Sequence, residues 1–137
     1  LKPLFDIFTG RTPTIPPTIG SGSVVDLRDV AALHVWALEH PRVVNGERYL
    51  AVSGCGASQA YADILRAAYP ERRDRIPEGD PGDGYVGFVD GEVQRVEYPA
   101  GRFRISGDKA RAVMGMEEWI PMKQSVLDTA KVFQRFV

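Results

Sequence analysis

The sequence predicts an α/β fold in which helices outweigh a few short strands, and three observations predict it. Apolar residues recur at helical spacing in four separate stretches, around Leu4, Leu33, Leu65 and Leu127. β-Branched and aromatic runs are few and short, near Val24, Tyr49 and Tyr85. The 14 glycines and 10 prolines cut the 137 residues into short pieces, without reaching a low-complexity composition. That length suits a single domain with a core of its own.

The elements follow in order. Leu1, Leu4, Phe5 and Phe8 share one face of a helix over 1–10, with Gly10 as its left-handed stop. This helix begins with its apolar stripe and no cap, which suggests chain upstream. Residues 11–23 include TPTIPPTIGSG, where proline removes amide donors and blocks a regular helix; they read as a stiff connector. Residues 24–70 read as strand–helix–strand–helix. Val24 and Val25 form the first strand. Asp26 caps the following helix, with Asp29 as an imperfect capping-box partner. That helix runs through Val30, Leu33, His34, Ala37 and Leu38 to Pro41, and is apolar enough to predict burial on more than one side. Gly46 ends the next turn, Arg48–Val52 reads as a buried strand, and Gly54–Gly56 as a turn. Ser58 caps a helix with Tyr61, Ile64, Leu65 and Ala68 on one face, ended by Pro70. Residues 71–104 are irregular, with Tyr85–Val89 and Gln94–Tyr98 as short strands or an ordered loop. Residues 105–137 hold two helices. One runs from Asp108 to Met114, capped by Ser106 and stopped by Gly115; the other starts near Pro121 and carries Val126, Leu127, Ala130, Phe133 and Val137.

Composition narrows the function. Seventeen basic against 18 acidic residues, a formal charge of −1, argue against a nucleic-acid or membrane-surface partner. No apolar run approaches the roughly 20 residues that cross a bilayer. Lys2, Pro3 and Asp6 do not make a signal peptide. The single cysteine, Cys55, can form no internal disulfide and suits a reducing compartment, so the expected location is the cytoplasm.

The search for chemistry is largely negative. GSGS (20–23) and GCGA (54–57) are Gly-rich, but neither has the spacing of a dinucleotide loop, and ordinary turns explain both. His34 and His40 lie six apart and do not make the i, i+4 pair of a zinc helix; His34 reads as a core-edge residue and His40 as a partner of the helix C-terminus. Cys55 has no companion and reads as structural. Asp26 with Asp29 is explained by capping, Glu117 with Glu118 by solvation, and Arg28 by a local ion pair. Arg102, Arg104, Lys109 and Arg111 form a modest basic cluster that solubility explains. No nucleophile–base–orienter set is evident. On its residues alone, the chain does not read as an enzyme.

The ordered set VVDLRDVAALHVWALEH (24–40), GERYLAV (46–52), ASQAYADILRAAYP (57–70) and ISGDKARAVMG with SVLDTAKVF resembles the C-terminal, substrate-side part of extended short-chain dehydrogenase/reductases. These belong to the NAD(P)-dependent epimerase/dehydratase superfamily, and the likeness is nearest to aldehyde and ketone reductases of the dihydroflavonol and cinnamoyl-CoA reductase type. It covers nearly the whole chain. It implies a partial fold that lacks the N-terminal Rossmann half, with NADP or NAD bound by the full-length parent and no cofactor expected for this chain alone. It also implies a small carbonyl substrate. The opening helix (Leu4, Phe5, Ile7, Phe8) would line the carbonyl pocket, and the loop carrying Tyr85 and Phe88 would close over it. Such reductases pair a Ser with Tyr-x-x-x-Lys, in which the lysine cation brings the tyrosine toward neutral-pH acidity. Here the tyrosines at 49, 61, 69, 85 and 98 are followed four residues on by Ser53, Leu65, Arg73, Val89 and Arg102. Arginine does not replace lysine in that proton relay. No catalytic, cofactor-binding or metal residue is therefore assigned. Two alternatives stand beside this reading. One is a sugar-nucleotide epimerase or dehydratase fragment. The other is a non-catalytic interaction protein derived from a reductase, self-associating through apolar surface left exposed.

Overall fold

The computed structural model describes residues 2–18, 22–89, 92–96 and 105–137, the backbone alone at 44, 55, 86–89 and 92–96. Helix α1 (Lys2–Thr9) stops at Gly10, whose φ of 71° is left-handed. Leu1 lies outside the described residues. Residues 11–18 carry no helix or strand, in keeping with their prolines. Strand β1 (Ser23–Val24) leads into α2 (Leu27–Glu39), and a single helical turn, α3 (Pro41–Val44), follows with proline at its first position.

The next strand corrects the sequence reading. Arg48–Val52 carries no strand, while Gly54–Cys55, expected as a turn, forms β2 and pairs antiparallel with β1, Ser23 opposite Cys55. The amides of Ser53 and Gly56 donate to the carbonyls of Val24 and Gly22 at 2.9 and 2.7 Å, which fixes the pairing there. Val52 instead abuts Gly107: a Cβ at Gly107 would collide with the carbonyl oxygen of Val52, so only glycine lets the two backbones approach.

Helix α4 (Ser58–Ala68) comes next, then a 3-10 turn at Pro70–Arg72. Ser58 is not its cap. Ala57 holds the cap position, and the Ser58 amide donates to Oγ1 of Thr18 at 3.0 Å, so the connector supplies the capping oxygen. Within 71–104 there is a regular hairpin, β3 (Tyr85–Val89) with β4 (Glu92–Val96), Tyr85 opposite Val96. Helix α5 (Asp108–Met114) has Gly107 at its cap, yet Ser106 Oγ still accepts from the Asp108 amide at 3.1 Å. Gly115, φ 67°, ends it. Helix α6 (Met122–Phe133) follows Pro121 and runs into a 3-10 turn at Gln134–Phe136; Val137, expected on its apolar face, is exposed.

The main core lies where α1, α4 and α6 meet, built on Ile7, Phe8, Ala62, Ile64, Leu65, Ile76, Val126 and Ala130. A second cluster joins α2 to α5 through Leu33, Ala110 and Trp119. The capping box does not form as predicted. Asp26 caps α2 by accepting from the Arg28 amide, whereas buried Asp29 accepts from the Ile120 amide at 2.9 Å and ties α2 to the segment before α6. Nor is α2 buried on several sides: Leu27, Val35 and Leu38 are 79%, 55% and 81% exposed.

Candidate functional site

A cleft of about 430 Å³ opens between the α1 N-terminus, the connector, the β1–β2 pair and α6. Pro3 and Leu4 of α1, Val24 and Val25, and Met122 and Val126 of α6 give it apolar walls. Hydroxyls from Thr18, Ser23, Ser53, Ser58, Ser125 and Thr129 punctuate this apolar surface. Gly56 is the tightest point. A Cβ there would lie 2.6 Å from Met122 Sδ and 2.9 Å from the Tyr61 hydroxyl oxygen, so the glycine lets these side chains close the floor.

Among the described residues, one carboxylate lines the cleft. Asp26, 6% exposed, accepts from Arg28 Nε and Nη2, each at 2.9 Å, in a two-pronged pair. Arg28 reaches on to Asp128 Oδ2 at 3.0 Å. The guanidinium, helped by the Arg28 amide and the Ser125 hydroxyl, holds the Asp26 carboxyl far below the usual carboxylate range, against the opposing effect of burial. Lys131 and then Arg28 lower Asp128 in turn. The local ion pair expected of Arg28 is thus present, and it spans α2 and α6.

The residues expected to line a carbonyl pocket separate in space. Leu4 faces the cleft. Phe5 packs edge-on to Phe133 at 4.9 Å. Ile7 and Phe8 are fully enclosed in the core behind them, Phe8 against Tyr69 at 5.2 Å. Tyr85 is buried against Ala57, Ala60 and Met122 and is not among the residues lining the cleft. Its hydroxyl donates to Asp63 Oδ2, and burial is the main reason its acidity falls below that of ordinary tyrosine. The side chain of Phe88 lies outside the described residues. Reasoning from sequence missed Ser125, Thr129 and Met122. Their spacing was the available signal, since 122, 125, 126 and 129 share one helix face.

The remaining candidates resolve simply. His34 Nδ1 lies 2.8 Å from the Val30 carbonyl oxygen and is exposed, rather than at the core edge. His40 contacts the Trp36 carbonyl at 2.8 Å and stacks on its ring, as expected at a helix C-terminus. Lys109 pairs with Glu47 at 2.5 Å and lies over the Tyr49 ring, and Arg111 donates to the Glu117 carbonyl. Glu117 and Glu118 are exposed. Arg102, Arg104 and the Cys55 side chain lie outside the described residues. Among the described residues no group of three or more His, Cys, Asp and Glu is placed to hold a metal ion, and no helix is long and apolar enough to cross a membrane.

The dinucleotide that the resemblance implies does not fit the residues present. Its pyrophosphate needs open glycine backbone between a parallel strand and a helix N-terminus. Here β2 is antiparallel, Gly56 is hemmed in by Met122 and Tyr61, and the first amide of α4 is taken by Thr18.

No protein-family model matches the chain. It is 36% identical over 92 residues to ketoreductase azaE of Aspergillus niger, covering 67% of this chain and 23% of that protein. It is 26% identical over 109 residues to a putative NADPH-dependent methylglyoxal reductase, GRP2, of Candida albicans, covering 80% and 28%. The chain thus spans about a quarter of the length of these curated relatives. Among solved structures, Gre2 from Candida albicans superposes with a TM-score of 0.67 at 28% identity, over 95% of this chain and 36% of that one. A reductase engineered to attenuate substrate inhibition gives a TM-score of 0.69 at 23% identity, over 96% and 35%.

Proposed function

We propose, for a chain that corresponds to the C-terminal, substrate-side part of an extended short-chain dehydrogenase/reductase, that it is the substrate-binding portion of an NAD(P)-dependent carbonyl reductase and is catalytically incompetent alone. The kinship to a ketoreductase, 36% identical over two thirds of this chain, carries the reading. The cleft supports it, being mostly apolar with scattered hydroxyls, the lining that a small carbonyl compound needs. Leu4 touches the substrate, and Phe5, Ile7 and Phe8 hold its helix in place. Tyr85 and Phe88 stand on the hairpin that borders the Met122 wall.

The incompetence follows from chemistry. Reducing a carbonyl requires a hydride from a bound nicotinamide and a proton delivered as the oxyanion forms. The sequence has no Tyr-x-x-x-Lys, and the turn at Gly56 is hemmed in by Met122 and Tyr61. The parent uses NADPH or NADH and works in the cytoplasm, in keeping with a lone cysteine.

Titrating the 137-residue chain with NADPH while following nicotinamide fluorescence tests this. The expected result is no saturable binding up to millimolar cofactor and no turnover of an aldehyde and ketone panel. Saturable one-to-one binding would overturn the reading and make one Gly-rich turn a working phosphate site.

A further inference from the structure

We propose that the cleft seats the apolar body of its ligand, a hydrocarbon chain or ring, and that the ligand's carbonyl points away from the cleft hydroxyls. The apolar seat rests on the cleft itself; that the ligand carries a carbonyl rests on the reductase reading.

Burying a polar atom costs free energy unless a partner waits for it, whereas hydrocarbon gains from any dry wall. A carbonyl oxygen accepts and cannot donate, so its partner must supply a hydrogen. Hydroxyl hydrogens of the cleft are committed elsewhere. Ser53 donates to the Val24 carbonyl at 3.0 Å, Thr129 to the Ser125 carbonyl at 2.7 Å, and Ser125 to Asp26. Thr18 Oγ1 is turned to the Ser58 amide, and Ser58 itself is only 8% exposed. Ser23 and Tyr61 also have partners within the chain. Asp26, held ionised by Arg28, accepts and does not donate. Nor does net charge draw a polar ligand in, because Arg28 and Lys131 balance Asp26 and Asp128. What the cleft does offer is hydrocarbon, from Pro3, Leu4, Val24, Val25, Met122 and Val126. Its volume of about 430 Å³ falls among clefts of about 300–1,000 Å³ that enclose most of a drug-sized molecule. A carbonyl group alone would leave most of that space unfilled.

Methyl NMR of the 137-residue chain tests this with the ketones from butan-2-one to octan-2-one and with 2-methyloct-1-ene, in which a methylene replaces the carbonyl oxygen of octan-2-one. Saturable shifts are expected at the Leu4, Met122 and Val126 methyls. Affinity should rise about two- to fourfold with each added methylene, the scale of burying one such group. The alkene should bind at least as tightly as octan-2-one. Thr129→Val exchanges a hydroxyl bonded within its own helix for a methyl and should tighten both long ligands about twofold. If that variant fails to fold, the ligand series on the unmodified chain decides the matter. Affinity that ignores chain length, a loss of about tenfold or more on replacing the carbonyl, or weaker ketone binding by Thr129→Val would overturn the proposal. So would shifts confined to the exposed Leu27, Val35 and Leu38 of α2. If octan-2-one binds in the cleft but a longer, NADPH-binding chain does not reduce it, the reductase reading falls and the apolar seat stands.

Discussion

Asp26 shows how much one side chain can settle. It caps α2, pairs with Arg28 and accepts from Ser125, while facing the cleft. Because its folded pKa is depressed, its contribution is present above the unfolded value near about 4 and is lost as pH falls toward the lower folded value. Asp26→Asn should therefore lower the melting temperature at pH 7 and flatten the acid-side decline of stability below about pH 4, in thermal melts run across pH. An unchanged acid limb would show that other carboxylates govern acid unfolding. The Asp26 cap and its pair with Arg28 were readable in the sequence because those bonds are local, whereas the reach of Arg28 to Asp128 was not. Asp29 was not, since its partner Ile120 is 91 positions away and no spacing rule reaches that far.

At the scale of elements, the helices followed their apolar periodicity and their stops at Gly10, Pro41, Pro70 and Gly115. The strand expected over 48–52 failed for a definite reason. Apolar character marks a segment as able to pair but does not supply a neighbour, and at Val52 the nearest backbone is Gly107. The 78–85 loop was equally opaque, because two side chains of α4 hold it. Gln59 Nε2 donates to the Glu78 carbonyl at 2.7 Å, and Gln59 Oε1 accepts from the Asp80 amide at 3.1 Å. Asp63 accepts from the Gly82 amide and the Tyr85 hydroxyl. Asp63→Ala should leave helix content intact while raising amide exchange over 79–85 by tenfold or more, the scale of losing about 1.5–3 kcal/mol of charge-assisted bonding. Hydrogen exchange followed by mass spectrometry reads this directly. Exchange spread evenly over the chain would instead mean that Asp63 supports the global fold.

For the molecule as a whole, the prominent feature is an uncovered apolar stripe. Leu27, Ala31, Val35 and Leu38 follow one another along one exposed side of α2. The chain covers about a third of the solved reductases it superposes on. Isolated, it should associate through this stripe. Leu27→Glu with Leu38→Lys should reduce concentration-dependent sedimentation while changing stability by no more than about 0.5 kcal/mol, since neither side chain packs inward. Persistent association would place the sticky surface elsewhere. The sequence predicted this helix to be apolar on several sides, and it is; the expectation of burial assumed neighbours that the described residues do not supply.

The bond from Ile120 to Asp29 also bears on how the chain is made. Synthesis runs from the N-terminus, so α2 emerges long before the amide that satisfies its buried carboxylate. Until then Asp29 stays hydrated and the seam between α2 and the α5–α6 segment remains open, and the core that α6 completes with Val126 and Ala130 is delayed in the same way. A ribosome stalled anywhere before residue 120 would hold helical segments without a settled tertiary structure, and release of the last turns would lock both seams together.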